Sequence, residues 1–352
     1  MPIEEVIKSY FPFFCEYSVV PIKNGNINKT FILYLTINKN KKKYLLQQLN
    51  KMVFNDPIAV IENSSLVLDY IKDEALYYLK TLDGKKYYID SSGSFWRIFN
   101  FVSNSISFDE SEDLTILYQT GKAYGNFFSR LSQFDGRNLK TTIPNFHNTK
   151  MRYKSLDNAV KSSVGRYEKC QREYALLKQL ENHVCFLDCL IEEGKLPVRI
   201  THNDTKCNNV LFNRETHEYI TVIDLDTVMP GYILHDFGDG ARSICATEKE
   251  DSKRFENISF DLDKFYHYAK GFTEEIKNYL IEIEKLTLYM GILKITTELS
   301  VRFLTDFLLN DIYFKTDYPN HNLDRAINQL TLAFDVFDKQ EEIKDITYSL
   351  LK

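Results

Sequence analysis

The sequence predicts an α+β chain of two lobes: a small N-terminal one rich in strands, then a larger helical one. Three observations carry this. Residues 1–103 alternate short runs of β-forming residues with polar or glycine turns. Beyond them, apolar residues recur at spacings of three and four, the helical period. Within the helical part, residues 200–226 hold a dense polar stretch between short apolar runs. Strands first, helices second, with polar residues on loops of the second part, is α+β organisation. Ser103-Asn104-Ser105 breaks the strand pattern, so the lobes are expected at 1–103 and 104–352.

The elements follow in order. Tyr17–Ile22, Thr30–Ile37 and Tyr44–Leu49 read as three strands, joined by a turn at Asn24-Gly25-Asn26 and a lysine-rich tip at Asn38–Lys43. Asp56 and Pro57 mark a helix start, an acceptor at the cap and proline at the first position. Val60, Ile61, Leu66, Val67 and Tyr70 give that helix an apolar spacing reaching to Leu79. Asp83-Gly84, between Tyr77–Leu82 and Lys86–Ile89, signals a hairpin. Phe95–Val102 is a further strand. The helical pattern then runs from Leu114 to Phe134, where Gly121 and Gly125 permit close helix packing. Further helices are expected at Arg152–Val164, Glu168–Glu193, Asp261–Lys270, Thr273–Leu309 and Leu323–Phe337.

Bulk composition sets limits. A hydrophobic fraction of 44% and an aromatic fraction of 14% over 352 residues support a sizeable core. A net charge of -5 argues against general nucleic-acid binding. No apolar run reaches the ~18 residues of a membrane span. Met1–Tyr10 lacks the basic start and apolar middle of a secretion signal. Cys15, Cys170, Cys185, Cys189, Cys207 and Cys245 form no CxxC pair and read as buried free thiols, so a cytoplasmic protein is expected.

The polar stretch carries the chemistry. It reads His202-Asn203-Asp204, then Asn209 five residues after the aspartate, an apolar pair, a polar turn, and an apolar run ending in Asp224. His-x-Asp, four spacers, Asn, a short hairpin and then Asp is the order of parts in a kinase catalytic loop. Phosphoryl transfer asks the protein to hold phosphates in line, neutralise charge and orient an acceptor hydroxyl. Asp204 suits the base that accepts the hydroxyl proton. Asn209 offers a neutral oxygen and Asp224 a hard anionic one, as Mg²⁺ prefers. His202 suits a brace for the loop. Asp226, two residues past Asp224, is expected on the same strand face, so either could hold metal. Asp236, in His235-Asp-Phe-Gly-Asp239, comes too late for the metal aspartate and reads as a helix start bracing the loop. The opening strand, glycine turn and strand fit a cover for a nucleotide.

These segments resemble the aminoglycoside phosphotransferase and choline kinase superfamily, and within it the bacterial N-acetylhexosamine 1-kinases. The likeness rests on His202–Asn209 and Val222–Gly231. It extends to residues 24–31, Tyr44–Asn50 with Val53-Phe54, Phe95-Trp96-Arg97, Val301–Asp306 and Tyr313–Lys315. The resemblance implies a bilobal protein-kinase-like fold with ATP between the lobes and Mg²⁺ as cofactor. It places Gly25, Asn26, Asn28, Thr30, Gln47 and Arg97 around the phosphates, and Phe101 and Val102 at the adenine. It makes Asp204 the base, Asn209 and Asp224 the metal ligands, and Arg302 and Tyr313 part of a sugar pocket. The implied reaction transfers the γ-phosphoryl group of ATP to the anomeric hydroxyl of N-acetylglucosamine or N-acetylgalactosamine. One departure stands out: Gln47 occupies the third-strand position where kinases usually carry Lys or Arg, with Lys43 and Arg97 as possible substitutes. Glu62 on the next helix would be the usual ion-pair partner. Competing readings are a kinase for choline, ethanolamine, an aminoglycoside or homoserine, and a nucleotide-binding pseudokinase.

Overall fold

The computed structural model describes residues 2–22, 28–51, 54, 56–163 and 165–352. The turn expected at 24–26, including Gly25 and Asn26, and Val53 lie outside the described residues.

The chain opens with a helix that strand periodicity does not announce, α1 (Pro2–Tyr10), with Glu4 and Glu5 at its positive end. It lies on one face of a five-stranded antiparallel sheet: β1 (Glu16–Ile22), β2 (Lys29–Ile37), β3 (Asn40–Gln48), β4 (Tyr88–Ile89) and β5 (Phe95–Asn100), in the order β1-β2-β3-β5-β4. Val6, Ile7 and Tyr10 pack there against Leu33, Leu35, Leu46, Trp96 and Ile98. Strand alternation sends the next residues the other way. Thr30, Leu45, Gln47, Arg97 and Phe99 therefore line a cleft. The register sets Gln47 opposite Thr30 on one side and opposite Arg97 on the other.

Asp56 caps α2 (Pro57–Ile71) by accepting from the Ala59 N–H at 3.0 Å. The helix stops eight residues short of Leu79. Lys72 adopts a left-handed conformation, and the Asp73 carboxylate takes the Ala75 and Leu76 N–H groups to start a turn. Leu66 and Tyr70, expected in the core, face solvent. Asp83-Gly84 does form a tight turn, with Gly84 at φ +83°. Its flanks lie mainly along β5: Leu79 donates to the Ile98 carbonyl, and β4 pairs with β5. The expected strand Phe95–Val102 ends at Asn100. After it, β6 (Ser105–Ile106) joins a second sheet.

That second sheet lies among helices. α3 (Leu114–Leu131), α4 (Thr149–Ser162) and α5 (Gln171–Glu192) precede β7 (Arg199–Thr201), β8 (Val210–Asn213), β9 (Tyr219–Val222) and β10 (Met229–Gly231). β8 and β9 form a hairpin on β6, while β7 pairs with β10. Then come α6 (Ile233–Cys245), α7 (Leu262–Ile276), α8 (Glu282–Thr287), α9 (Met290–Leu308), α10 (His321–Asp338) and α11 (Gln340–Leu351). The single helix expected over Thr273–Leu309 is thus three segments. Leu280, Ile283, Leu288 and Ile292 carry apolar residues across both breaks, so the periodicity hides them. Close packing at Gly121 holds: a Cβ there would overlap the Tyr268 carbonyl, and α3 and α7 meet at that point. The fold is α+β and bilobal. The six cysteines are free; Cys170, Cys207 and Cys245 are buried, Cys185 and Cys189 partly so, and Cys15 is exposed, against expectation. Among the described residues, no helix is long and apolar enough to cross a membrane.

Candidate active site

A cleft of about 380 Å³ lies between the five-stranded sheet and the β8–β9 hairpin. Asn28, Thr30, Gln47 and Arg97 line it from the sheet. Phe101 and Val102 line it from the crossing chain. Asp204, Asn209 and Asp224 line it from the helical part. Residues scattered from 28 to 226 therefore meet in one place. Lys43 stands apart, with its ammonium 5.5 Å from the Phe101 ring centre.

The loop that presents Asp204 is built from below. Asp236, in the first turn of α6 and fully buried, accepts the N–H groups of His202 (2.5 Å) and Asn203 (2.8 Å). Burial pushes its carboxyl up to about 8, against those two donors. Asp239, one turn on, accepts the Thr205 N–H at 3.1 Å. The expected bracing by Asp236 is present, from inside the helix and not from its cap. His202 is buried, which holds its ring below the usual range, and its Nε2 donates to the Ile223 carbonyl at 2.9 Å. Asn203 takes φ +65°, a conformation Asn tolerates, and its side chain donates to the Thr227 carbonyl at 2.8 Å. Thr227 returns a bond to the His202 carbonyl at 2.6 Å. The 202–204 loop and the 224–227 turn are thereby stapled together.

Asp204 accepts from the Asn209 side chain at 2.9 Å and pairs with Lys206 at 2.8 Å. The sequence marks Lys206 only by its place two residues past the aspartate. Asp224 sits in a left-handed turn two residues beyond β9, at φ +61°, and not on the strand itself. The strand-face argument for Asp226 fails for this reason. Asp226 is buried; one oxygen lies 2.6 Å from the Arg97 guanidinium and the other accepts the Asn28 amide at 2.5 Å. The cleft wall strips water from Asp224, and Asp226 and Asp204 add negative charge; together they push its carboxyl up to about 7. Such crowding is relieved by a cation. Asn209 bonds Asp204 through its amide nitrogen, which leaves the amide oxygen for a metal. Among the described residues, no three His, Cys, Asp or Glu cluster to hold a metal unaided. An Asn–Asp pair suits Mg²⁺ that shares its ligands with phosphates.

Arg302 and Tyr313 stand together outside this cleft. The Arg302 guanidinium is 6.0 Å from the Tyr313 ring centre, 5.7 Å from Phe146 and 5.4 Å from Phe314. Tyr313 is exposed, yet its backbone is fixed. Asp306, one turn past Arg302 on α9, accepts the N–H groups of Ile312, Tyr313 and Phe314 at 2.8–3.1 Å. A second cavity, about 220 Å³, runs from Phe146, His147 and His235 to Asn203 beside Asp204. His147 meets Glu298 at 3.2 Å, and the His147 and His235 rings lie 4.9 Å apart. Glu62, expected at the cleft, pairs with Lys140 at the surface instead.

A sheet-covered cleft above an Asp-presenting loop and a second Asp turn defines the protein-kinase-like class. Residues 65–264 match the phosphotransferase enzyme family, and the chain belongs to it. Solved structures agree in fold. A microcompartment-associated aminopropanol kinase is similar at 15% identity and a TM-score of 0.65, over 92% of this chain and 93% of that one. The choline kinase of Cryptosporidium parvum matches at 14% identity and 0.55, over 99% and 96%. A spectinomycin phosphotransferase in complex with ADP and spectinomycin matches at 13% and 0.55, over 99% and 97%.

Proposed function

We propose that this chain transfers the γ-phosphoryl group of ATP to the anomeric C1 hydroxyl of an N-acetylhexosamine. The observation that carries phosphoryl transfer is the gathering of Asp204, Lys206, Asn209 and Asp224 on one cleft wall facing a β-sheet cover. In this reading residues 1–103 cover the nucleotide and 104–352 hold the acceptor. Phe101 and Val102 border the adenine, while Asn28, Thr30 and Gln47 border the phosphates. Asp204 accepts the proton of the sugar C1 hydroxyl as its oxygen bonds phosphorus and the bond to ADP breaks. Mg²⁺ bound by Asn209 and Asp224 would neutralise phosphate charge.

The acceptor is assigned to the second cavity, which joins Asn203 to the Arg302 corner through Phe146. An engineered cavity of roughly 150 Å³ holds benzene, so about 220 Å³ suits a substituted six-membered ring. Its carboxylates are already paired: Asp188 with Lys294 at 2.6 Å, and Glu192 with Lys150. Arg302 adds positive charge nearby, enough to lower the pKa of half-buried Arg152 further. This charge balance favours a neutral hydroxylated acceptor over the cationic amino alcohols that the similar aminopropanol and choline kinases are named for. Incubating the protein with Mg·ATP and, separately, N-acetylglucosamine, N-acetylgalactosamine, choline, ethanolamine, homoserine and kanamycin tests it by phosphorus NMR. The reading expects a sugar 1-phosphate; product from choline, ethanolamine, homoserine or kanamycin alone would overturn it.

A further inference from the structure

The third strand of this sheet lacks the cation that kinases use there, and the structure holds a candidate replacement. Gln47 stands at that position on β3. Directly across the register, on β5, stands Arg97. The Arg97 Nε donates to Gln47 Oε1 at 2.9 Å, so the guanidinium lies against the end of the shorter side chain. Its Nη1 meets Asp226 at 2.6 Å and the Tyr78 hydroxyl at 3.1 Å. Its Nη2 bonds to no described residue, and Arg97 lines the cleft.

In protein kinases the strand lysine is held by a glutamate on the following helix. Here that helix is α2, and its Glu62 is engaged with Lys140 at the surface. The counter-charge comes from the opposite wall of the cleft. Asp226 belongs to the same turn as Asp224, and its other oxygen takes the Asn28 amide from the start of β2. Asn28 in turn accepts the Asn50 N–H at 3.0 Å. One buried carboxylate thus ties β5 and the start of β2 to the Asp224 turn.

We infer that the phosphate-gripping cation has moved one strand over, to Arg97, and that its partner has moved from α2 to Asp226, which acts as a positioning residue for both Arg97 and the nucleotide cover. The inference rests on the kinase reading, but not on which acceptor is used. It frees the grip from a glutamate on α2, the helix whose placement gates many protein kinases, and leaves that helix, among the described residues, touching it through Ser64 on the Tyr78 hydroxyl and its packing on the Asp226 turn.

The test is Mg·ATP binding by calorimetry without acceptor, with kinetics alongside. Removing one partner of a buried ion pair strands the other, so the first variant is the double substitution Arg97→Gln with Asp226→Asn, which removes both charges together. Nucleotide affinity is expected to fall about 10- to 100-fold, as for loss of a charged hydrogen bond, with circular dichroism unchanged. KM for ATP should rise while KM for the acceptor stays put. Gln47→Lys with Arg97→Gln, which returns the cation to β3, should recover much of the affinity. Glu62→Gln should bind ATP as the wild type does. Wild-type affinity in the Arg97/Asp226 double variant, or a loss in Glu62→Gln matching it, would overturn the relocation alone. A wild type that binds no Mg·ATP would overturn the kinase reading as well.

Discussion

The cleft under the five-stranded sheet and the Arg302 corner use charge in opposite ways. In the cleft, Asp204, Asp224 and Asp226 crowd together, and among the described residues Arg97 and Lys206 pair against them. Asp224 is left wanting a cation. In the corner, the carboxylates facing the cavity are matched by lysines, and what stays unmet is imidazole nitrogen: among the described residues, the buried Nε2 atoms of His147 and His235 have no partner. A site with unbalanced charge is built for an ion. In the proposed reading, balanced charge and unmet hydrogen bonds favour a neutral, hydroxylated acceptor.

The comparison can be broken at several points. The largest effect is expected at Asp204→Asn. Turnover should fall about 10²- to 10⁴-fold, the range for a positioned base, while calorimetric ATP affinity stays within a few-fold. Equal loss of binding and turnover would mean that Asp204 grips the nucleotide and does not serve as base. Next comes Arg302→Ala, on the corner side. KM for the sugar should rise about 10-fold, with KM for ATP unchanged. A change confined to ATP would place Arg302 on the wrong side of the comparison.

The smallest effect concerns His235. Burial, with His147 and Lys294 nearby, holds its pKa well below the usual range. The unfolded chain takes up a proton near pH 6.5 while the folded ring stays neutral. Its contribution to stability is therefore present above pH 6.5 and falls as pH drops, by about 1.4 kcal/mol per unit until the folded ring protonates. Asp236 and Asp224, raised by burial, act in the opposite sense over this range. The clean readout is consequently a difference: the stability gap between wild type and His235→Gln, measured in urea, should shrink from pH 7 to pH 5. A gap independent of pH would mean that the ring protonates in the fold as readily as outside it.

The two regions also differ in how far the sequence exposes them. Asp204, Asn209 and Asp224 lie within 21 consecutive residues, so spacing alone points to their chemistry. The α+β order of elements is legible for the same reason, because strand and helix periods are local. The Arg97–Asp226 pair depends on strand register and on a turn 129 positions away, and no local pattern encodes it. Asp226 leaves the strand because Asp224 turns left-handed, which the apolar run before it does not reveal. Residues 301–306 and 313–315 were legible only as resemblance. The structure supplies a physical reason for their spacing: Asp306 holds the backbone that carries Tyr313 beside Arg302.

Transfer to an anomeric oxygen is decided by where the phosphate is attached. N-acetylglucosamine labelled with carbon-13 at C1 should be incubated with Mg·ATP and the wild-type chain, and the product examined by carbon NMR. The C1 signal is expected to split through two-bond coupling to phosphorus. An unsplit C1 signal in a phosphorylated product would put the phosphate elsewhere on the sugar and contradict it, as would no transfer to the sugar under conditions where the chain phosphorylates an amino alcohol.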